Sequence, residues 1–407
     1  MSLPDDLVVL EIFPRVKDVV TLFRCAAVCK QWRDLLVSKP SLLRRCFPEE
    51  ACRSCPFAGF FTQQRRRKGL PAPCFVPGAR PVLGPRGPLS SFVPGMGNLA
   101  VPLTSRHGLL LVRVGGLLIV CDPLARTFKP LPDLGHNWGR PGCFTGYAML
   151  TAADCPSSER NDQQFPFFKV MIIVVAQEPM HYDLYTYSSS GELGWKVCSS
   201  NAAEAGHAIQ VTLFQHNAAI SHGDAYWFFR STSGSYIICS STKTGQVITA
   251  MVVDTRLLGD PTYDEPFLSI DADGRLAFLF LRIDGTRLDI YFVRFFLVNL
   301  DLVQSCDNSE SIKRVWRKYN GTNSHIMLQP PSQRIGQEVV YECLGEKNAM
   351  LIIMDNHKRI YIADIKTGVM QEITDCPRGH GLSRREIVPL EMDWPALFIS
   401  RLGGVAT

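Results

Sequence analysis

The sequence predicts an α+β multidomain chain: a small all-α N-terminal unit of three helices, then a large all-β domain built as a β-propeller of six to seven blades. Three observations carry this expectation. The first forty-odd residues space their apolar side chains at helical intervals. From about Leu99 to Leu402, short apolar runs alternate with turn residues and no long helical period occurs. A strand–turn–strand pattern also recurs three times at similar wide offsets.

The helical unit spans residues 1–47. Within the two stretches 7–10 and 19–35, Leu7, Leu10, Val19, Leu22, Phe23, Ala26, Val28, Trp32 and Leu35 recur at mixed, mostly three- and four-residue spacings. Pro14 should end the first helix near Phe13, because a proline disfavours helical backbone before it. Asp18 is placed to cap the second helix before Val19, and Pro40 stops the third. Three short helices bury little surface alone, so a segment this apolar calls for a partner.

Residues 48–98 form a Pro/Gly-rich connection that can contribute the first strands of the large domain. Phe57-Ala58-Gly59-Phe60-Phe61 and Cys74-Phe75-Val76 read as strands. Residues 99–402 make the large all-β domain. Leu109 to Val120, broken by Arg113, Gly115 and Gly116, reads as a hairpin. The clearest hairpin runs from Arg275 to Ile283, turns at Asp284-Gly285, and returns from Leu288 to Phe295. Asp273-Gly274 begins another turn. The repeat aligns Leu117–Arg126, Ile237–Gly245 and Ile360–Gly368 on Asp122, Ser241 and Asp364, with offsets of 119 and 123 residues. Each offset fits three units of ~40–45 residues, the period of a propeller blade.

Composition bounds the function. The 407 residues are 46% hydrophobic and 20% charged, enough for a real core and unlike a disordered chain. A net charge of +5 over this length is too mild to argue for nucleic acid. The N-terminus lacks a basic n-region and an apolar h-region, so no secretory signal is read there. No apolar run reaches the ~18 residues of a membrane helix. The 14 cysteines have no regular spacing, which fits reduced thiols in the cytoplasm or nucleus. Asn320-Gly321-Thr322 is a glycosylation sequon but, without a secretory route, reads equally as a turn.

The strongest motif is N-terminal. Leu3-Pro4-Asp5-Asp6-Leu7, Glu11-Ile12, Leu22-Phe23-Arg24-Cys25 and Val28-Cys29-Lys30-Gln31-Trp32-Arg33-Asp34-Leu35 follow in order. Together they closely resemble the F-box over about forty residues. The resemblance implies a compact helical unit docking on the Skp adaptor of a Skp–cullin–F-box ubiquitin ligase. Carried over position by position, Pro4, Leu7, Ile12, Leu22, Cys25, Val28, Cys29, Trp32 and Leu35 would form or support that interface. One residue more than usual lies between Pro4 and Glu11, around Val8-Val9-Leu10. An extra residue rotates a helix by ~100°, so either the first turn is irregular or the contact register shifts.

The β region carries a second resemblance. Ser105-Arg106-His107-Gly108-Leu109-Leu110-Leu111, then Val120-Cys121-Asp122-Pro123-Leu124 through Leu131-Pro132, is similar to F-box-associated and kelch-like propellers of the plant-type F-box family. His222-Gly223-Asp224-Ala225-Tyr226-Trp227 resembles one of their strand starts. A generic β-sandwich or barrel is the plainer alternative.

Other features favour no chemistry. Cys52 and Cys55 have ligand-like spacing near Cys46 and Cys74, yet no second such pair and no His stand nearby. Arg65-Arg66-Arg67-Lys68 is a nuclear-import or phosphate-contact candidate, or a solvated loop tip. Asp271-x-Asp273-Gly274 hints at a calcium loop, but its twelfth position is Arg282. Phosphate-loop, nucleophile-elbow and His-Glu-x-x-His patterns do not occur, and no cofactor is expected. The expectation is a non-catalytic adaptor that binds a Skp-type subunit, and through it cullin, and holds an unidentified protein target. Gly135–Arg140, with Trp138 and Arg140, is one loop candidate for target contact, and Trp138 reads equally as a buried residue closing a blade. The rivals are a propeller-type hydrolase or oxidase with appended helices, and an F-box protein acting without ubiquitin transfer.

Overall fold

A computed structural model of the chain describes residues 11–12, 15–16, 19–38, 57–62, 73–78, 86–91, 100–135, 143–154, 166–176, 181–190, 194–201, 211–213, 215–231, 234–241, 247–252, 266–271, 274–284, 287–299, 314–318, 324–328, 339–347, 349–373, 382 and 386–392. Among the described residues, two α-helices stand in the N-terminal part, α1 (Val19–Val28) and α2 (Lys30–Ser38). Their limits match the sequence reading at Val19 and ahead of Pro40. Cys29 separates them without breaking the ladder, since its N–H bonds to Cys25 O at 3.2 Å and Arg33 N to Cys29 O at 3.0 Å. Glu11 and Ile12 lie in a wide π-type helical turn. Val8-Val9-Leu10, where the sequence reading expects either an irregular first turn or a shifted contact register, lie outside the described residues.

The described strands form six blades. The first combines β1 (Phe57–Thr62), β2 (Cys74–Pro77) and β3 (Gly87–Pro88) with β26 (Ile387–Glu391), in the order β26-β1-β2-β3. The second is β4 (Ala100–Arg106), β5 (Leu109–Val114), β6 (Leu117–Asp122) and β7 (Thr127–Pro130). The third is β8 (Cys143–Thr151), β9 (Phe168–Ala176), β10 (His181–Ser188) and β11 (Lys196–Asn201). In the fourth, β12 (Val211–Leu213) and β13 (Ala219–Ser221) both pair with β14 (Asp224–Ser231), followed by β15 (Gly234–Ser241) and β16 (Val247–Val252). The fifth is β17 (Phe267–Ile270), β18 (Leu276–Asp284), β19 (Arg287–Asn299) and β21 (Ser324–Leu328), with β20 (Arg314–Lys318) beside the end of β19. The sixth is β22 (Tyr341–Lys347), β23 (Met350–Asp355), β24 (Ile360–Asp364) and β25 (Met370–Ile373).

The inner strands form a closed ring. β26 neighbours β4, β4 neighbours β8, β8 neighbours β12 and β13, β13 neighbours β17, β17 neighbours β22, and β22 returns to β26. The expectation of six to seven blades therefore resolves to six. The last described strand completes the first blade, so the two ends of the β region are joined by backbone pairing from Phe57↔Glu391 to Thr62↔Ile387.

The core is a set of wedges, one between each pair of blades. Strand β9 shows how the sequence builds them. Met171, Ile173 and Val175 face the wedge toward blade four, whereas Phe168, Val170, Ile172 and Val174 face blade two. Both faces of such a strand are buried, so it reads as a continuous apolar run rather than an alternating one. Trp227 fills the wedge between blades three and four and lies across Gly146, where an added Cβ would stand 2.7 Å from the indole.

The repeat has a structural meaning that corrects its period. Asp122, Ser241 and Asp364 each end the third strand of their blades, the second, fourth and sixth. Offsets of 119 and 123 residues thus span two blades, not three compact units, because the connections between strands are long. The polar turn is equivalent where described. Asp122 Oδ1 accepts from Leu124 N and Ala125 N, and Asp364 Oδ1 accepts from Lys366 N and Thr367 N. Four residues on, Arg126 (φ 56°) and Gly368 (φ 72°) occupy the left-handed region. His107-Gly108 and His222-Gly223 have positive φ at both residues, as a type I′ hairpin turn requires. The hairpin of β18 and β19 also forms, but Asp284 pairs with Arg287, one position later than a turn centred on Asp284-Gly285.

Candidate functional site

Two places bring functional side chains together. The first is the helical pair. Leu22 (0% exposed), Ala26, Leu35 (8%) and Leu36 are buried, while Cys25, Cys29 and Trp32 are half-buried. Because the hydrogen-bond ladder runs through Cys29, residues 25, 29 and 32 line one face at helical spacing. Ile12 is also half-buried, and Glu11 and Arg15 form an exposed ion pair at 2.8 Å. Of the nine residues expected to contact a partner, Leu22 and Leu35 are buried. Cys25, Cys29 and Trp32 share the accessible face. Val28 lies in the α1 backbone, and Pro4 and Leu7 fall outside the described residues.

The second place is the mouth of the propeller axis, where inner strands end and turn into their second strands. Glu391, at the end of β26, is fully buried. Its Oε1 accepts from His107 N at 3.0 Å and faces Lys347 Nζ at 3.5 Å and Arg106 at 3.8 Å. Arg106 also grips Asp154 of blade three, with Nε to Oδ2 at 3.2 Å. His107 Nδ1 lies 2.7 Å from Thr151 Oγ1. Lys347 Nζ donates to Ser105 O at 3.2 Å, and Ser269 Oγ of blade five donates to Glu346 Oε2 at 2.8 Å. Ser105 Oγ donates to Pro389 O, and Gly108 N to Glu391 O at 2.8 Å. Between blades three and four, Tyr147 N donates to His216 O, and Ala218 N to Tyr147 O. Between four and five, Gln215 both donates to and accepts from the Leu268 backbone. Polar contacts thus stitch neighbouring blades together around the axis.

The charges in this network are strongly tuned. Burial alone would raise the Glu391 carboxyl, but Lys347, His107 and Arg106 outweigh it and hold it down at about 2. Burial opposes ionisation of Asp154 too, yet Arg106 and His107 keep it well below the usual carboxylate range. Glu346 goes the other way: burial pushes it up, and the hydrogen bonds from Ser269 and Ala349 only partly offset this.

These shifts predict a two-sided pH profile. Glu391 and Asp154 have depressed folded values, so their contribution is present above their ordinary values of 4.5 and 3.8 and is lost as pH falls. Glu346 has a raised folded value, so its contribution is present below 4.5 and is lost as pH rises through the folded value. In urea titrations across pH, Glu346→Gln should flatten the loss that sets in as pH rises above 4.5 and leave the loss at lower pH unchanged. An unchanged loss of stability on raising the pH above 4.5 would refute the assignment.

The sequence reading missed Arg106, His107, Asp154, Glu346, Lys347 and Glu391 as a group. Their one local signal is a charged residue at the end of an apolar strand, which surface turns share. Among the described residues, no group of three or more His, Cys, Asp or Glu side chains is placed to hold a metal ion. Cys74 of the cysteine set lies in β2 beside Thr62, and Cys46, Cys52 and Cys55 fall outside the described residues. So do Arg65–Lys68, Asn320–Thr322 and residues 136–140. Among the described residues no helix is long and apolar enough to cross a membrane.

Comparison with known proteins agrees at the N-terminus, where residues 1–49 match the F-box-like family. No curated protein sequence matches the chain. Solved structures with some likeness include dipeptidyl peptidase 4 of Porphyromonas gingivalis, with 10% identity and TM-score 0.33 over 78% of this chain and 44% of that one. The chain therefore spans less than half the length of that peptidase. Apo AztD of Citrobacter koseri has 10% identity and TM-score 0.30 over 71% and 75% of the two chains. The WD40 domain of SCAP from fission yeast has 7% identity and TM-score 0.31 over 65% and 71%. The class defined here is thus an F-box-like segment followed by a six-blade β-propeller.

Proposed function

We propose that the protein is the substrate-recruiting subunit of a Skp–cullin–F-box ubiquitin ligase, working in the cytoplasm, the nucleus or both. The carrying observation is the F-box-like match over residues 1–49, joined to a rigid ring of blades. Residues 1–47 are the hook, 48–98 the connection that enters the first blade, and 99–402 the recognition domain. On the hook, Cys25, Cys29 and Trp32 touch the Skp-type adaptor, with Ile12, Pro4, Leu7 and Val28 beside them and Leu22 and Leu35 bracing the face. The propeller, read as F-box-associated and kelch-like on its His-Gly turns, holds the target. Its contribution is proximity: it raises the effective concentration of target lysines near a charged enzyme and supplies no catalytic group.

A pull-down with purified Skp-type adaptor tests the hook. Wild type should be retained, whereas a chain lacking residues 1–47 and the Leu22→Ala, Trp32→Ala double variant should lose at least tenfold in retention. Equal retention of the truncated chain sinks the proposal. Cullin recovered with the adaptor separates ubiquitin transfer from an adaptor-bound role without it.

A further inference from the structure

The accessible face of the helical pair carries two thiols. Cys25 and Cys29 are free and half-buried, and they stand one helical turn apart beside Trp32. An α-helix places the Cα atoms of residues i and i+4 about 6 Å apart, inside the ~4.4–6.8 Å span of a disulfide. The other described cysteines differ. Cys121, Cys239 and Cys343 are buried, and burial pushes the thiols of Cys121 and Cys239 up. Cys74 Sγ lies 3.6 Å from Thr62 Oγ1. Cys198 is exposed on β11, where it lies opposite Leu184.

The pair also sits where the backbone passes from one helix to the next. α1 ends at Val28 and α2 starts at Lys30, so Cys29 belongs to neither helix. Its N–H reaches Cys25 O at 3.2 Å, the long end of the usual range. Side chains at i and i+4 hold their Cβ atoms ~5–6 Å apart, whereas a disulfide needs ~3.5–4.5 Å. Bridging therefore draws Cys29 toward Cys25 by about 1–2 Å. The junction at Cys29 is the place that yields, and Trp32, three residues on along the same face, moves with it. A bridge closed under strain is readily reduced, so the change is reversible.

We infer that Cys25 and Cys29 are a redox switch on the hook: a hydroperoxide joins them in a disulfide, and the oxidised chain releases the adaptor-binding geometry. The thiolate of one cysteine attacks a peroxide oxygen. An S–O bond forms, the O–O bond breaks, and the departing hydroxide or alkoxide takes up a proton. The second thiol then attacks the sulfenic sulfur. The S–S bond forms, the S–O bond breaks and water leaves. Two thiols are oxidised and one peroxide is reduced. The inference rests on the reading of this face as adaptor-binding, and the switch acts on the chain before the adaptor covers it. Linkage is reciprocal, so a bound adaptor shields the pair from oxidation.

Peptide mapping of the wild-type, full-length chain tests this without a variant. Trypsin cleaves after Arg24 and Lys30 and releases residues 25–30, which carry both thiols and no other cysteine. The chain is treated with hydrogen peroxide, denatured, alkylated with iodoacetamide, digested and weighed by mass spectrometry. The peptide should pass from doubly alkylated to unalkylated and two hydrogens lighter than the free dithiol, and dithiothreitol should reverse the change. Retention on the adaptor resin should fall at least tenfold in step with that conversion and return on reduction. Chain already bound to the adaptor should convert at least tenfold more slowly. The inference is overturned if the peptide stays doubly alkylated while Cys198 is oxidised, or stops at a sulfenic or sulfinic acid. It is equally overturned if the peptide converts with retention unchanged, or if retention is lost before the peptide converts. Failure of the reduced chain to be retained refutes the adaptor reading itself and is seen before any peroxide is added, while the peptide mass still decides whether the disulfide forms.

Discussion

A chain ending at Glu386 is expected to lose the closed propeller. Without β26, β1 has no inner partner, and the blade formed by β1, β2 and β3 loses its place in the ring. Ile387, Val388, Leu390 and Met392 are all buried, in the wedges on either side of the first blade. Burying each such side chain is worth about 1.5–3 kcal/mol, so the four contribute roughly 6–12 kcal/mol. That is comparable with the whole stability of a typical domain, about 5–15 kcal/mol. Thermal unfolding followed by circular dichroism should lose its cooperative transition, and size exclusion should show an expanded or aggregated species. A cooperative transition at the wild-type midpoint would mean that β26 does not close the ring.

The second large effect is expected at Glu391 itself. Glu391→Ala leaves Arg106 and Lys347, each 18% exposed, facing a cavity with no counter-charge from that side. Breaking a buried ion pair by deleting one partner costs about 3–5 kcal/mol. Glu391→Gln should cost less, because an amide oxygen still accepts from His107 N. Glu11→Ala is the control, since its pair with Arg15 is exposed and such pairs contribute little. Urea midpoints for the three variants give the ranking. If Glu391→Ala unfolds at the wild-type midpoint, the network does not fasten the blades.

Much of the fold was legible because it is written locally. The helical limits at Val19 and before Pro40 follow from apolar spacing and from proline's lost N–H. The strands at Phe57–Thr62 and Cys74–Pro77 follow from apolar runs bounded by turn residues. The repeat aligned on Asp122, Ser241 and Asp364 was correct to the residue, because an Asp that accepts two backbone N–H groups shapes its own turn. Its period was misread as three short units because loop length is free to vary: closing a longer loop costs only ~0.6 kcal/mol per doubling.

The sequence by itself determined the class of each half: a helical F-box-like hook, and a β domain of repeated strand–turn units. Tertiary structure alone decided the number of blades, since that is fixed by how many inner strands close a ring. It alone decided that β26 belongs with β1, a pairing across more than three hundred residues. It also assembled Arg106, Asp154, Lys347 and Glu391 at the axis. The reason is common to all three. Turns and helix ends are set by interactions within a few residues, whereas ring closure and charge pairing depend on distances in space that no local pattern encodes.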